Sequence, residues 1–253
     1  MTEDNTSSNG KTPNIKDSLR PPLAKRFYAS ASVAERPDGY AIQLDGRGVK
    51  TPGKRDLLLP TRELADAVAA EWAAQGERID PATMPLTRLV NTAIDAVAQR
   101  MEEVADDIVA FAGSDLLCYR AEAPQPLVQR QSDAWDPVLD WAKQHLGSGF
   151  HLRAGLMPIE QSPEALTAVK AALSGLDALT LAALHVVTTI TGSAVLALAH
   201  LRGRLTADEV WAAATVDETW QSQQWGRDTE AEALAAKKRA EFMAASLCLH
   251  PRR

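Results

Sequence analysis

The chain has little of what announces an enzyme. Its two cysteines, Cys118 and Cys248, lie too far apart for any metal-binding or redox spacing, so a reducing compartment is the default reading. The five histidines form no HxxxH or HExxH arrangement. His185 and His200 fall on one expected helix but stand roughly 22 Å apart along its axis, too far to share a metal. No GxSxG elbow occurs, and Cys118 sits among apolar neighbours in "LLCYR", which suits burial better than reactivity. No catalytic, metal-binding or cofactor-binding constellation emerges.

Cationic excess is also absent. Lys and Arg number 27 against 33 Asp and Glu, a net charge of −6, which argues against a nucleic-acid partner. The start, "MTEDNTSSNGKTPNIKDSLRPPL", has no apolar stretch and is not rich in Arg, so it reads as neither a secretory signal nor a transit peptide. Residues 1–22 read as a disordered tail, and the protein as cytoplasmic and bacterial. One uncharged run, 178–201, is long enough to span a bilayer. It carries four Thr, two His, a Ser and a Gly without flanking interfacial aromatics, so a helix buried among others is expected instead of membrane insertion.

Gly48–Lys54 matches GxxxxGK, the front of a phosphate-binding loop. The next position is Arg55 where Ser or Thr should hold Mg²⁺, Pro52 removes an amide, and "DLLLP" follows where a helix should begin. A tight hairpin turn is the better reading.

Short apolar runs separated by PDG, DG and PG over residues 26–60 predict a meander of three or four strands. Periodicity changes at Thr61, an expected N-cap. Leu64, Val68 and Trp72 then recur every four residues, and Gly76 is expected to end the helix. "LTRLVNTAIDAVAQ" and "RMEEVADDIVAFA" continue as helix, and "SDLLCYRA" is ambiguous between strand and short helix. "LVQRQSDAWDPVLDWAKQHL" is helical with a kink or break expected at Pro137. Ser162-Pro163-Glu164 is a helix start, and Thr206-x-x-Glu209 a capping box. The fold class is α+β: a small N-terminal antiparallel β-rich domain followed by a larger α-helical domain. The expected organisation is a tail over 1–22, a β-rich unit with the first helix over 23–76, and a helical domain over 77–253.

Acidity is local. Residues 206–232 hold seven acids against Arg227 alone, a net of −6 equal to that of the whole chain. On one continuous helix at ~100° per residue, Trp211, Glu218 and Trp225 fall within about 40° of one another, and Trp220 points the opposite way. Either all three tryptophans are core and Glu218 pairs with a nearby Arg, or a carboxylate flanked by two indoles forms an interaction surface.

Several stretches together resemble a known family. "LDGRGVKTPGKRDLLLPTRELADAVAAEW" is similar to the signature of the ATP synthase assembly chaperones that handle the α subunit of the catalytic head. "MPLTRLVNTAID", "GSDLLCYR" and "DETWQSQQWGRDTEAE" fit the same family, so the resemblance runs from about Arg26 to about Ala245. It implies a non-enzymatic chaperone that binds the free α subunit and shields the surface later buried against the β subunit. It also implies a β-rich domain joined to a helical one, in agreement with the reading above.

The family's functional acid late in the helical domain carries onto Glu218 in "DETWQ", with Asp217 as the fallback; Trp211 and Trp225 complete the expected partner-binding set. The Trp that follows a Glu in the first long helix matches Trp72, where the apolar stripe favours a structural role. A monomer is expected, without cofactor. Two competing readings are an enzyme assembled from scattered residues such as Asp115, Tyr119 and His185, and a generic peptide-binding module.

Overall fold

The computed structural model describes residues 22–155, 157–226 and 228–249. All of the expected tail except Pro22 lies outside them, as does His250.

The β unit is an antiparallel meander. Strands β1 (Ala31–Arg36) and β2 (Gly39–Leu44) form a hairpin in register from Ala31↔Leu44 to Arg36↔Gly39. On its other side β2 pairs with β3 (Arg47–Gly48) and with β4 (Leu58–Leu59). Gly39 has φ +137°, and a Cβ there would lie 2.6 Å from the Leu59 carbonyl oxygen, so the hairpin corner admits no side chain. Ile42, Leu57 and Leu59 are buried against α1 (Arg62–Ala73), joining Leu64 and Val68 of that helix. Thr61 caps α1 by accepting from the Leu64 amide. The helix closes at Ala73 with Ala74 as its cap, before Gly76, so a backbone turn of ordinary αR geometry does what the glycine was expected to do.

Helix α2 (Pro85–Asp95) begins at Met84, which offers no side-chain cap. The cap comes from another helix. Glu71 of α1 accepts from the amides of Leu86 (2.8 Å) and Thr87 (2.7 Å) and from the Thr87 hydroxyl (2.6 Å). A carboxylate at a helix N-terminus satisfies orphan donors and opposes the positive end of the helix dipole. Buried Gln75 secures the intervening loop, donating to the Glu71 carbonyl and the Thr83 hydroxyl and accepting from the Asp80 amide.

At its far end α2 grips the β unit a second time. Asp95 accepts from the Thr51 hydroxyl and the Gly53 amide, both at 2.7 Å, and Arg55 donates to the Ile94 carbonyl. A Cβ on Gly53 would sit 2.5 Å from an Asp95 oxygen. The GxxxxGK stretch is therefore a turn closed by the protein's own carboxylate, and it leads into β4 instead of a helix.

Helix α3 (Met101–Gly113) is followed by the 3₁₀ turn Leu116–Cys118 and β5 (Tyr119–Arg120), so the ambiguous "SDLLCYRA" is both helix and strand. β5 pairs in parallel with β6 (Arg153–Ala154). Helix α4 (Gln125–Leu146) runs unbroken through Pro137. Trp135 and Gln131 before the proline, and Val138, Leu139 and Trp141 after it, are all buried, so packing on both sides outweighs the lost hydrogen bond. Helix α5 (Pro163–Ala172) starts at Ser162 as expected.

The uncharged run is two helices, α6 (Ala178–Thr191) and α7 (Ala194–Leu201). Gly192 at φ +70° ends the first, and Ser193 caps the second. Among the described residues no helix is long and apolar enough to cross a membrane. α6 is the hub, packed by α2, α3, α7 and the last helix, α10 (Thr229–Leu249). The buried side chains form one contiguous core from Ile42 of the sheet to Leu249 of α10.

Asp115 is fully buried at the base of α7. It accepts from the amides of Val195 (3.0 Å) and Leu117 (3.1 Å). Burial pushes its carboxyl up from 3.8 to about 6, against the opposing pull of hydrogen bonds from Ser193 and nearby amides. The folded protein thus holds this proton more tightly than the unfolded chain does. Asp115 favours folding at low pH, and that stability is lost as pH rises from about 4 to about 6.

Replacing Asp115 with Asn removes this titration. The stability of Asp115→Asn relative to the parent is expected to improve by up to roughly 3 kcal/mol between pH 4 and pH 7, read from urea midpoints across that range. A difference between the two that does not change with pH would contradict the assignment. Glu71→Ala is expected to lower stability by about 2–3 kcal/mol, and Glu71→Gln by less, because an amide oxygen can still cap α2.

Candidate functional site

The acidic segment is built on a corner. Helix α8 (Ala207–Ala214) opens on the expected capping box between Thr206 and Glu209. Thr215 then leaves helical geometry (φ −113°, ψ 25°), and α9 (Val216–Trp225) starts afresh. The shared face of Trp211, Glu218 and Trp225 depended on one continuous helix, and the corner removes it. Trp211 turns inward and packs half-buried against Phe242, with ring centroids 5.5 Å apart.

Asp217 and Glu218 occupy the first turn of α9, where no side chain caps the helix, so their charge suits its dipole. They face different surroundings. Asp217 is half-buried and accepts from Gln131 Nε2 at 2.7 Å. Glu218 is exposed and makes no hydrogen bond or ion pair with any described residue. Trp220 was expected to point away from Glu218 and Trp225. It is half-buried, and its cover is the Arg130 guanidinium 4.8 Å above the ring, which also donates to Gln223 at 2.7 Å. Trp225, at the tip, is 79% exposed.

Two α4 residues thus hold α9 in place. Gln131 is buried, accepting from the Ala121 amide through one end of its amide and donating to Asp217 through the other. Arg130 and Gln131 carry no sequence signal, since both are polar residues in an ordinary helical stretch. Only their distant partners reveal the role.

Beyond Trp220 the chain leaves the body. Residues 221–226 and 228–240 are all exposed, so the end of α9, Gly226 (φ +89°) and the first three turns of α10 form a solvated arm. A helix without packing depends on its own sequence. Here Ala231, Ala233, Ala235 and Ala236 supply strong propensity. Asp228 caps α10 by accepting from the Glu230 amide at 2.9 Å. Glu230 and Glu232 lie in its first turn, where the dipole favours acids. Arg239 ties the arm back to Asp208 of α8 at 2.8 Å. Trp225 and Leu234 (56% exposed) give the arm apolar surface with no cover from the described residues.

The scattered residues of the enzyme reading go to separate jobs. Asp115 is buried as a helix cap. His185 lies 2.6 Å from Asp107 on the edge of a cleft of about 600 Å³ whose lining includes neither Asp115 nor Tyr119. His200 is buried between the Leu205 carbonyl and the Ser246 hydroxyl. Cys118 and Cys248 are buried, which pushes both thiols up to about 12. Among the described residues, no group of three or more His, Cys, Asp or Glu could hold a metal ion.

Comparison with known proteins gives one consistent pattern. Residues 25–143 match the model of the ATP12 chaperone protein family. The crystal structure of Atp12 from Paracoccus denitrificans is 43% identical, with a TM-score of 0.82, covering 91% of this chain and 99% of its own. A structure from Agrobacterium tumefaciens, described as that of a candidate chaperone, is 44% identical with a TM-score of 0.85, covering 97% and 93%. The mitochondrial protein atp12 of Schizosaccharomyces pombe is 25% identical over 243 residues, which is 91% of this chain and 84% of that one.

Gln131→Leu strips Asp217 and the Ala121 amide of their partner. It is expected to cost about 1–3 kcal/mol in urea unfolding and to raise amide exchange across α9 more than across α6. Uniform exchange in both helices would show that Gln131 does not anchor the site.

Proposed function

The chain belongs to the ATP12 chaperone family, and we propose that it is an ATP synthase assembly chaperone that binds the free α subunit of the catalytic head. In this reading it is a non-enzymatic monomer of the bacterial cytoplasm. It covers the α-subunit surface later buried against the β subunit and is displaced as the head assembles.

The observation that carries the proposal is the solvated arm. An unassembled subunit exposes a large apolar interface and is prone to aggregate. A protein that covers such an interface needs apolar anchors held in water without aggregating itself. Trp225 and Leu234 are such anchors, and the surrounding acids keep the arm soluble and steer it towards cationic surface. Glu218 has its charge unspent at the base of the arm, which leaves it free for the client. Asp217 and Trp211 act at one remove: Asp217 fixes α9 through Gln131, and Trp211 fixes α8 against α10.

The test is a size-exclusion and titration experiment with separately purified, folded α subunit. A one-to-one complex is expected. Glu218→Lys and Trp225→Ala should each weaken it by about tenfold or more while leaving circular dichroism unchanged, since both side chains are exposed. A complex of full affinity in both variants would move the interface elsewhere on the protein. Failure of the parent chain to bind folded α subunit would overturn the client assignment, and equal affinity for many unfolded proteins would favour the generic peptide-binding module.

A further inference from the structure

The turn that joins α7 to α8 carries Arg202, Gly203 and Arg204. It forms one wall of a cleft of about 870 Å³ whose other walls are the last turns of α4 and α5. Both arginines are exposed. Neither guanidinium makes a hydrogen bond or salt bridge with a described residue, and Arg204 acts on Glu209 only through its longer-range field.

The ordinary explanation for cations here is helix capping, since α4, α5 and α7 all end at this cleft. At two of these three ends the backbone already does that work. At the end of α7 the amides of Arg202, Gly203 and Arg204 donate to the carbonyls of Leu198, His200 and Ala199 at 2.8–3.0 Å. At the end of α5 the amides of Leu173 and Ser174 donate to the carbonyls of Lys170 and Ala171. The guanidinium donors are therefore not consumed.

His145 stands beside the arginine pair. Its Nδ1 lies 3.0 Å from the Trp141 carbonyl, and its ring stacks on Trp141 with centroids 5.3 Å apart. In the tautomer that donates Nδ1–H to that carbonyl, Nε2 can accept from a peptide N–H. Asp140 is the single acid in the lining. In a chain of net charge −6, this is cationic surface against the global trend.

We infer that this cleft binds an acidic segment of a protein partner, its carboxylates on Arg202 and Arg204 and its apolar side chains along Leu146 and Ala171. Guanidinium forks match planar carboxylates in a two-point geometry. The volume far exceeds that of one oxyanion, and the wall is partly apolar. A peptide satisfies both conditions. The inference stands apart from the α-subunit proposal, because this turn lies off the solvated arm.

The probe is a fluorescein-labelled peptide of Glu-Glu-Leu repeats, followed by anisotropy at low ionic strength with the full chain. Saturable binding is expected, weakened about tenfold or more by the double variant Arg202→Glu/Arg204→Glu and severalfold by His145→Ala, with no effect from Arg62→Glu on α1. Circular dichroism checks each variant, and His145→Ala decides the matter if the double variant misfolds. No saturable binding into the millimolar range, or unchanged affinity in the variants, would overturn the inference. Displacement of the peptide by equimolar inorganic phosphate would also overturn it, in favour of a small oxyanion site.

Discussion

The Glu71 carboxylate is the contact on which the joining of sheet and helices depends. One side chain from α1 satisfies two amides and a hydroxyl at the start of α2, a helix that has no cap of its own. Asp95, at the other end of α2, grips the β3–β4 turn. The helix is thereby held at both ends to the β unit, while its buried face (Leu86, Leu89, Val90 and Ala93) packs towards α6. Apolar burial supplies the attraction, but it is not directional. The two carboxylates fix where the helix starts and how it is turned.

The same use of acids recurs. Asp115 caps α7, Asp177 caps α6, Glu209 closes the capping box of α8, and Asp45 holds the amides of Ala29 and Ser30. Hydrogen bonds to the charged form hold Asp45, Asp95 and Glu209 below the usual carboxylate range, whereas burial dominates at Asp115. These carboxylates are committed to the fold and have no spare capacity for chemistry. Glu218, exposed and unpaired on the helix that ends in solvated Trp225, departs from that pattern.

The body and the arm obey different rules. α6 and α7 are helices because apolar side chains on most of their faces are buried; their caps only decide where they break. The first half of α10 has no such burial. It holds through alanine propensity, an Asp228 cap and two acids in its first turn. Its last turns return to the core through Phe242, Ala245, Cys248 and Leu249. A segment anchored at its root and self-supporting along its length presents Trp225 to solvent without risking the rest of the fold.

Much of this was legible in the sequence because the signals are local. The meander, the Thr61, Ser162 and Thr206 caps, the α+β order and the turn at Pro52–Gly53 each depend on residues a few positions apart. The family likeness needed only ordered short matches. The division of 178–201 into two helices and the corner at Thr215 were not legible. A glycine inside an apolar run does not by itself say where the backbone turns, and Thr215 carries no breaker signal. The passage of α4 through Pro137 went the other way, because buried side chains on both sides outweighed a local rule. The ties from Glu71 to α2, Gln131 to Asp217 and Arg130 to Trp220 span 15 to 90 residues, and polar side chains leave no periodic trace of partners so distant. The sequence by itself determined the order of a β meander before helices and that acid and tryptophan gather near residue 218. Only the tertiary structure decided which of those acids is spent on the fold and which tryptophan meets water, because that depends on packing between segments and not on spacing within one.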